Sequence, residues 1–201
     1  MIDVHWVIVG ALISAFGASM YVRDTLRGTS QPNRVTFVLW AAAPLLAFGV
    51  QVSSGVGLRS LMTFMAGAAP VAVLIASFAN RSAVWRIGPF DWVCGGLSVA
   101  GTLWWLVSGH GVVGIVAAVA ADLLTGIPTA VKSWRAPESE TAVSYVCGMV
   151  NAGVTLLTVT RFSAIVALFP AYIFAFTAVQ VVLVAGRLGP RWRARLGVAA
   201  L

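Results

Sequence analysis

The chain has 201 residues, 60% of them hydrophobic and 9% charged, with a mean hydropathy of +0.94. Soluble domains carry about 25% charged residues, so this composition excludes a soluble globular or disordered chain and describes an integral membrane protein. The formal charge of +7 gathers at the ends of apolar runs, a pattern of membrane topology and attraction to anionic headgroups, with no nucleic-acid arm.

A helix crosses a hydrocarbon core of roughly 30 Å with about 20 apolar residues. The sequence offers seven such runs: Val4 to Val22, Val35 to Ser54, Leu58 to Ala79, Pro89 to Val107, Gly111 to Val131, Thr141 to Val159 and Ser163 to Ala185. The first opens with Asp3 and His5 instead of Lys or Arg and has no good small-residue cleavage site, so it is expected to stay as a helix and not leave as a signal peptide. Ser14 falls near its middle. The second run carries Trp40 one turn inside and Pro44 near its centre, and the third carries Pro70. In the fourth, Cys94 is a buried thiol without metal spacing, and Gly95 and Gly96 form a small-residue face suited to packing within the bundle or against a second copy. Trp104 and Trp105 mark its outer end as a lipid-belt pair.

The fifth run places Asp122 near the midplane, where a carboxylate costs about 2.5–3.5 kcal/mol. Lys132, ten residues on, is roughly 15 Å away along the axis, too far to pair. Asp122, Thr125, Gly126, Thr129, Lys132 and Ser133 share one helical face, a polar stripe from midplane to membrane edge. The sixth run has a second stripe, Ser144, Gly148, Asn151, Thr155 and Thr158, and the seventh holds Pro170 and Tyr172 near its middle. Interhelical packing uses the same small and polar residue types, but an intramembrane acid usually marks an ion or substrate path. Asp122, Asn151, Thr125, Thr129, Ser14, Trp40 and Tyr172 are therefore the candidate binding or coupling residues. Pro44, Pro70, Pro128 and Pro170 are candidate hinges, because a mid-helix proline frees a carbonyl and bends the helix.

With the N-terminus outside, Arg23, Arg27, Arg34, Arg81, Arg86, Lys132, Arg135, Arg187, Arg191, Arg193 and Arg195 fall on the cytoplasmic side and only Arg59 and Arg161 outside. The tail RLGPRWRARLG reads as a surface anchor for membrane lipids. Arginine outnumbers lysine twelve to one, a codon signature of GC-rich bacteria, and the expected location is a bacterial inner membrane. GHGVVG, Gly109 to Gly114, satisfies GxGxxG but joins two membrane helices instead of a strand and a helix, so it is no dinucleotide site, and His110 reads as a loop residue. No metal cluster, cofactor motif or nucleophile with its base is present, which argues against an enzyme.

Shifted by 108 residues, YVRDTLRGTSQPNRVTFV from Tyr21 lies against TAVKSWRAPESETAVSYV from Thr129, pairing Arg27 with Arg135, Thr36 with Ser144 and Phe37 with Tyr145. After a small gap change Pro70 matches Pro170. The implied organisation is a first three-helix repeat over residues 1–87, a linker helix over 88–108, a second three-helix repeat over 109–187 and a basic tail over 188–201. The expected fold is thus an all-α membrane protein of seven transmembrane helices, two parallel three-helix bundles joined by a linker helix, N-terminus outside and C-terminus cytoplasmic.

This organisation, with the stretch LTGIPTAVKSWRAPESETAVSYVCGMVNAG, resembles the PQ-loop proteins and SWEET-type sugar carriers; nicotinamide riboside carriers are similar in architecture. Neither copy keeps the Pro-Gln pair: Pro128 is followed by Thr129, and the first repeat has Met20 at the matching position. The resemblance implies a carrier of a small polar solute, of sugar, amino-acid or vitamin class, working by alternating access between the triplets, with Asp122 as the candidate for proton coupling. A non-retinal seven-helix sensor and a structural or assembly membrane protein are the alternatives. Retinal is disfavoured because the last helix has no Lys.

Overall fold

The computed structural model describes residues 2–80, 83, 85–108 and 111–196. The expectations for Arg81, for Gly109 and His110, and for the Trp105 side chain lie outside the described residues. Eight helices run in chain order: α1 (Trp6–Arg27), α2 (Arg34–Ser53), α3 (Ser60–Ala79), α4 (Pro89–Ser108), α5 (Gly111–Arg135), α6 (Ala142–Leu157), α7 (Ala164–Gly186) and α8 (Leu188–Leu196). No strand occurs among the described residues. Five of the helices, α1, α2, α3, α5 and α7, are long and apolar enough to cross a membrane, and the protein is a multi-pass membrane protein.

The burial pattern is the reverse of a water-soluble domain. Leu12, Ile75 and Trp104 are about two-thirds exposed, at 66%, 66% and 65%. Thr36, Gln51, Thr63, Asn151 and Gln180 are meanwhile buried. A surface rich in large apolar groups is stable only against another apolar phase, here lipid, while polar side chains turn inward because lipid offers them no partner.

The helix ends follow local chemistry. Asp3 opens the first turn by accepting the His5 amide at 2.8 Å, and the bonds from the His5 backbone and ring hold this exposed carboxyl below its usual range. Gly28 closes α1 at φ 78, a left-handed value that glycine adopts without strain. Asn33 then caps α2, its side chain accepting the amides of Val35 and Thr36. α6 is 16 residues, shorter than the run Thr141 to Val159 predicts. Both flanking threonines are diverted into contacts with other helices, the Thr141 hydroxyl donating to Asp24 at 3.1 Å and the Thr158 carbonyl accepting from Arg59 at 2.7 Å. Part of the basic tail is itself helical. Arg187, at φ 48, turns the chain from α7 into α8, and Gly189 lies so close to the Trp134 carbonyl that a methyl group would meet its oxygen at 1.7 Å.

Six helices form a closed ring in the order α1, α3, α2, α5, α7, α6, back to α1, and α4 packs outside it on α5 and α2. Exchanging α1, α2 and α3 with α5, α6 and α7 leaves this ring of neighbours unchanged. The helices alternate in direction. Tyr21 near the end of α1 bonds Glu140 just before α6, and Arg34 at the start of α2 bonds Ser77 near the end of α3. One end of the ring is therefore basic, holding the α1–α2 and α5–α6 links, α8 and most described arginines, while Arg59 and Arg161 lie at the other.

Small residues let the helices approach. A Cβ on Gly10 would come within 2.7 Å of Asn151 Oδ1, and one on Gly17 within 2.5 Å of Cys147 Cβ, so α1 and α6 meet almost backbone to backbone. Gly96, by contrast, faces open space. Gly17→Ala should lower stability by about 1–3 kcal/mol through overpacking. Gly96→Ala should stay within about 0.5 kcal/mol. Thermal unfolding in detergent checks both.

Candidate functional site

Between the two halves of the ring lies a cavity of about 110 Å³. Its wall is contributed pairwise. Ser14 and Asp122, Phe37 and Tyr145, and Trp40 and Gly148 are each 108 residues apart, and all six line it. Pro70 and Phe176 line it as well.

Asp122 is 3% exposed. The Tyr172 hydroxyl donates to its Oδ2 at 2.7 Å, and Trp40 Nε1 donates to its backbone carbonyl at 3.3 Å. Phe176 completes the surround, with its ring centroid 5.6 Å from Trp40 and 5.9 Å from Tyr172. No ion pair reaches Asp122 among the described residues. Its carboxyl is met by one phenol hydroxyl, and the rings of Trp40 and Phe176 line the same cavity. A buried carboxylate so placed holds either a proton or a cation.

Of the residues picked out by sequence, Ser14, Trp40 and Asp122 stand on the cavity wall, and Tyr172 is bonded to Asp122. Asn151, Thr125 and Thr129 are not on that wall. Asn151 is pressed against Gly10, and its Oδ1 has no partner. The Thr125 hydroxyl turns back to the Ala121 carbonyl at 2.8 Å, the Thr125 carbonyl faces the Thr36 hydroxyl at 3.4 Å, and Thr129 Oγ1 is buried without a partner. Pro44, Pro70, Pro128 and Pro170 all sit inside helices that continue through them, and of the four only Pro70 lines the cavity.

At the basic end the cavity abuts a cluster that sequence reasoning passed over. Glu140 Oε1 accepts from Lys132 Nζ at 2.7 Å, and both side chains are 1% exposed. Glu140 Oε2 accepts from Tyr21 at 2.7 Å and from Tyr145 at 2.8 Å. Lys132 also donates to the Gln31 carbonyl and sits 5.2 Å from the Trp85 ring centroid. The two links pair directly as well, Gln31 N donating to Ser139 O at 3.0 Å. Lys132 looks like a cation at the membrane edge, and the available signal was its own demand for an acid: Glu140 is eight residues on. Toward the other end, Met62, Ile115, Ala152 and Phe169 pack as an apolar plug. Beyond it, Gln51 donates to the Ile165 carbonyl at 3.1 Å and Arg59 donates to the Thr158 carbonyl.

Among the described residues no group of three His, Cys, Asp or Glu side chains is placed to hold a metal ion. The cavity offers one carboxyl, at Asp122, with Phe37, Trp40 and Phe176 on the same wall.

Removing one member of a buried, hydrogen-bonded ion pair leaves the other uncompensated. Lys132→Met and Glu140→Gln should each cost about 3 kcal/mol of stability, and the double variant less than the sum of the two. A double-mutant cycle on thermal unfolding measures the difference.

No protein-family model matches the chain, and no curated protein and no solved structure matches it.

Proposed function

We propose that the protein is a membrane carrier of a small polar solute that works by alternating access, with the cavity at Asp122 as its solute site. The observation that carries this reading is a buried carboxylate without a counter-ion among the described residues, on the wall of a cavity between two three-helix halves. Polar residues within a membrane are expensive and persist where they serve a path. A site shared by two similar halves is what a rocking carrier requires.

The ring of neighbours supports a duplicated triplet, α1 to α3 and α5 to α7, with α4 as linker. In this reading α4 and α6 also span the bilayer, giving seven spans with the N-terminus outside, the basic end in the cytoplasm and the bacterial inner membrane as location. The likeness to PQ-loop and SWEET-type carriers belongs to the same proposal.

The two ends differ in what must open. At the basic end the halves are joined by Tyr21 on Glu140, by Lys132 on the Gln31 carbonyl, by Gln31 N on the Ser139 carbonyl, and by Thr141 with Asp24 and Ser30. At the other they are joined by Gln51, Arg59 and the apolar plug. Each set is a small number of separable contacts, so rocking one half against the other exchanges one set for access to the cavity. Asp122 then meets each side of the membrane in turn, which would let a proton accompany the solute.

A substrate-independent experiment tests the carrier reading. Ser14→Cys, in a background of Cys94→Ala and Cys147→Ala, places one thiol on the cavity wall. A membrane-impermeant methanethiosulfonate reagent should label it in right-side-out and in inverted vesicles alike. Labelling from one face only would describe a one-sided pocket and favour the sensor reading.

A further inference from the structure

We infer that the ligand of the Asp122 cavity is a small organic cation, an ammonium group carried on a compact apolar body. This rests on the carrier reading only in taking the cavity as the solute site.

The argument is one of matching chemistry. The cavity presents one carboxylate, Asp122, without an ion-pair partner. An anionic solute would meet that charge with nothing to offset it, since Lys132 is held by Glu140. A metal ion prefers a shell of six or more oxygen ligands, and the wall offers mostly rings and methyl groups. Sugars need several directed hydrogen bonds. Of the five wall hydroxyls, Thr177 is already donated to the Ile173 carbonyl at 2.6 Å and those of Tyr21 and Tyr145 are given to Glu140, which leaves a sugar only Ser14 and Ser144.

An organic cation is met at both its parts. The rings of Trp40 and Phe176 stand beside Asp122, and Phe37 follows Trp40 at 5.6 Å between centroids. Aromatic faces carry negative charge density and attract a cation most strongly when water is excluded, the arrangement that recognises quaternary ammonium groups. The carboxylate supplies a full charge where the rings supply partial ones. Tyr172, bonded to Oδ2, fixes the carboxylate's orientation. The cavity of about 110 Å³ suits a compact amine.

Calorimetric titration of the detergent-purified protein decides the matter. The probes are choline, tetramethylammonium and 3,3-dimethylbutan-1-ol, the uncharged analogue of choline. Choline and tetramethylammonium should bind, and the uncharged alcohol at least tenfold more weakly. Asp122→Asn should weaken choline binding at least tenfold, a difference of about 1.4 kcal/mol or more. Trp40→Leu should weaken it while Trp40→Phe keeps most of it, a comparison that stands even where the Asp122 variant fails to fold. Equal binding of the alcohol, an unchanged affinity in Asp122→Asn, equal effects of the two Trp40 variants, or no binding of either cation would each overturn the inference. Cation binding with labelling of Ser14→Cys from one face only leaves the ligand class standing and removes the carrier. Labelling from both faces without cation preference does the reverse.

Discussion

The bond network on Glu140 is the point on which the basic end of the molecule depends. A glutamate and a lysine taken out of water each carry a desolvation penalty of several kcal/mol, and their attraction offsets it only when the remaining donors and acceptors are satisfied. Glu140 meets that condition with Lys132 on one oxygen and two tyrosines on the other. The tyrosines arrive from α1 and α6, and Lys132 reaches back to the link before α2. One carboxylate therefore determines how four segments from both halves of the ring converge. It also anchors Tyr21 and Tyr145, both of which line the cavity.

Elsewhere the bundle is held without a hydrophobic driving force, since lipid is as apolar as the helices. Close approach does that work at the α1–α6 seam, through Gly10 and Gly17. At the equivalent α2–α5 seam the link is polar, through Trp40 and Thr36 to carbonyls of α5. The same scaffold position is thus filled by contact in one place and by hydrogen bonds in the other. The polar seam is the one that passes Asp122.

The positions of the helices were legible because a bilayer sets their length: the predicted runs and the observed helices differ by only a few residues at most ends. Asp122 was legible because an acid is costly inside an apolar run and so stands out whether it serves a path or an interhelical hydrogen bond. What stayed hidden was azimuth. The α6 stripe gave the inward side only coarsely: Ser144 and Gly148 reach the cavity wall, and Asn151 of the same stripe does not. Asn151 faces α1 at Gly10, away from the cavity. Phe37 and Phe176 could not be told from lipid-facing aromatics for the same reason. Glu140 was hidden differently: it lies in a short polar link, where an acid is ordinary, and only the fold turns that link inward against Tyr21.

Pairs of residues 108 apart line the cavity, yet only the pair of Ser14 and Asp122 brings a carboxyl to it, and brings it once. A symmetric container with two carboxylates would admit two charged guests, or one guest in either of two equivalent poses. With a single carboxylate the container has a polarity of its own. If the proposed ligand class holds, a guest with a charged head would have one direction in which to lie, whichever end of the molecule it entered from.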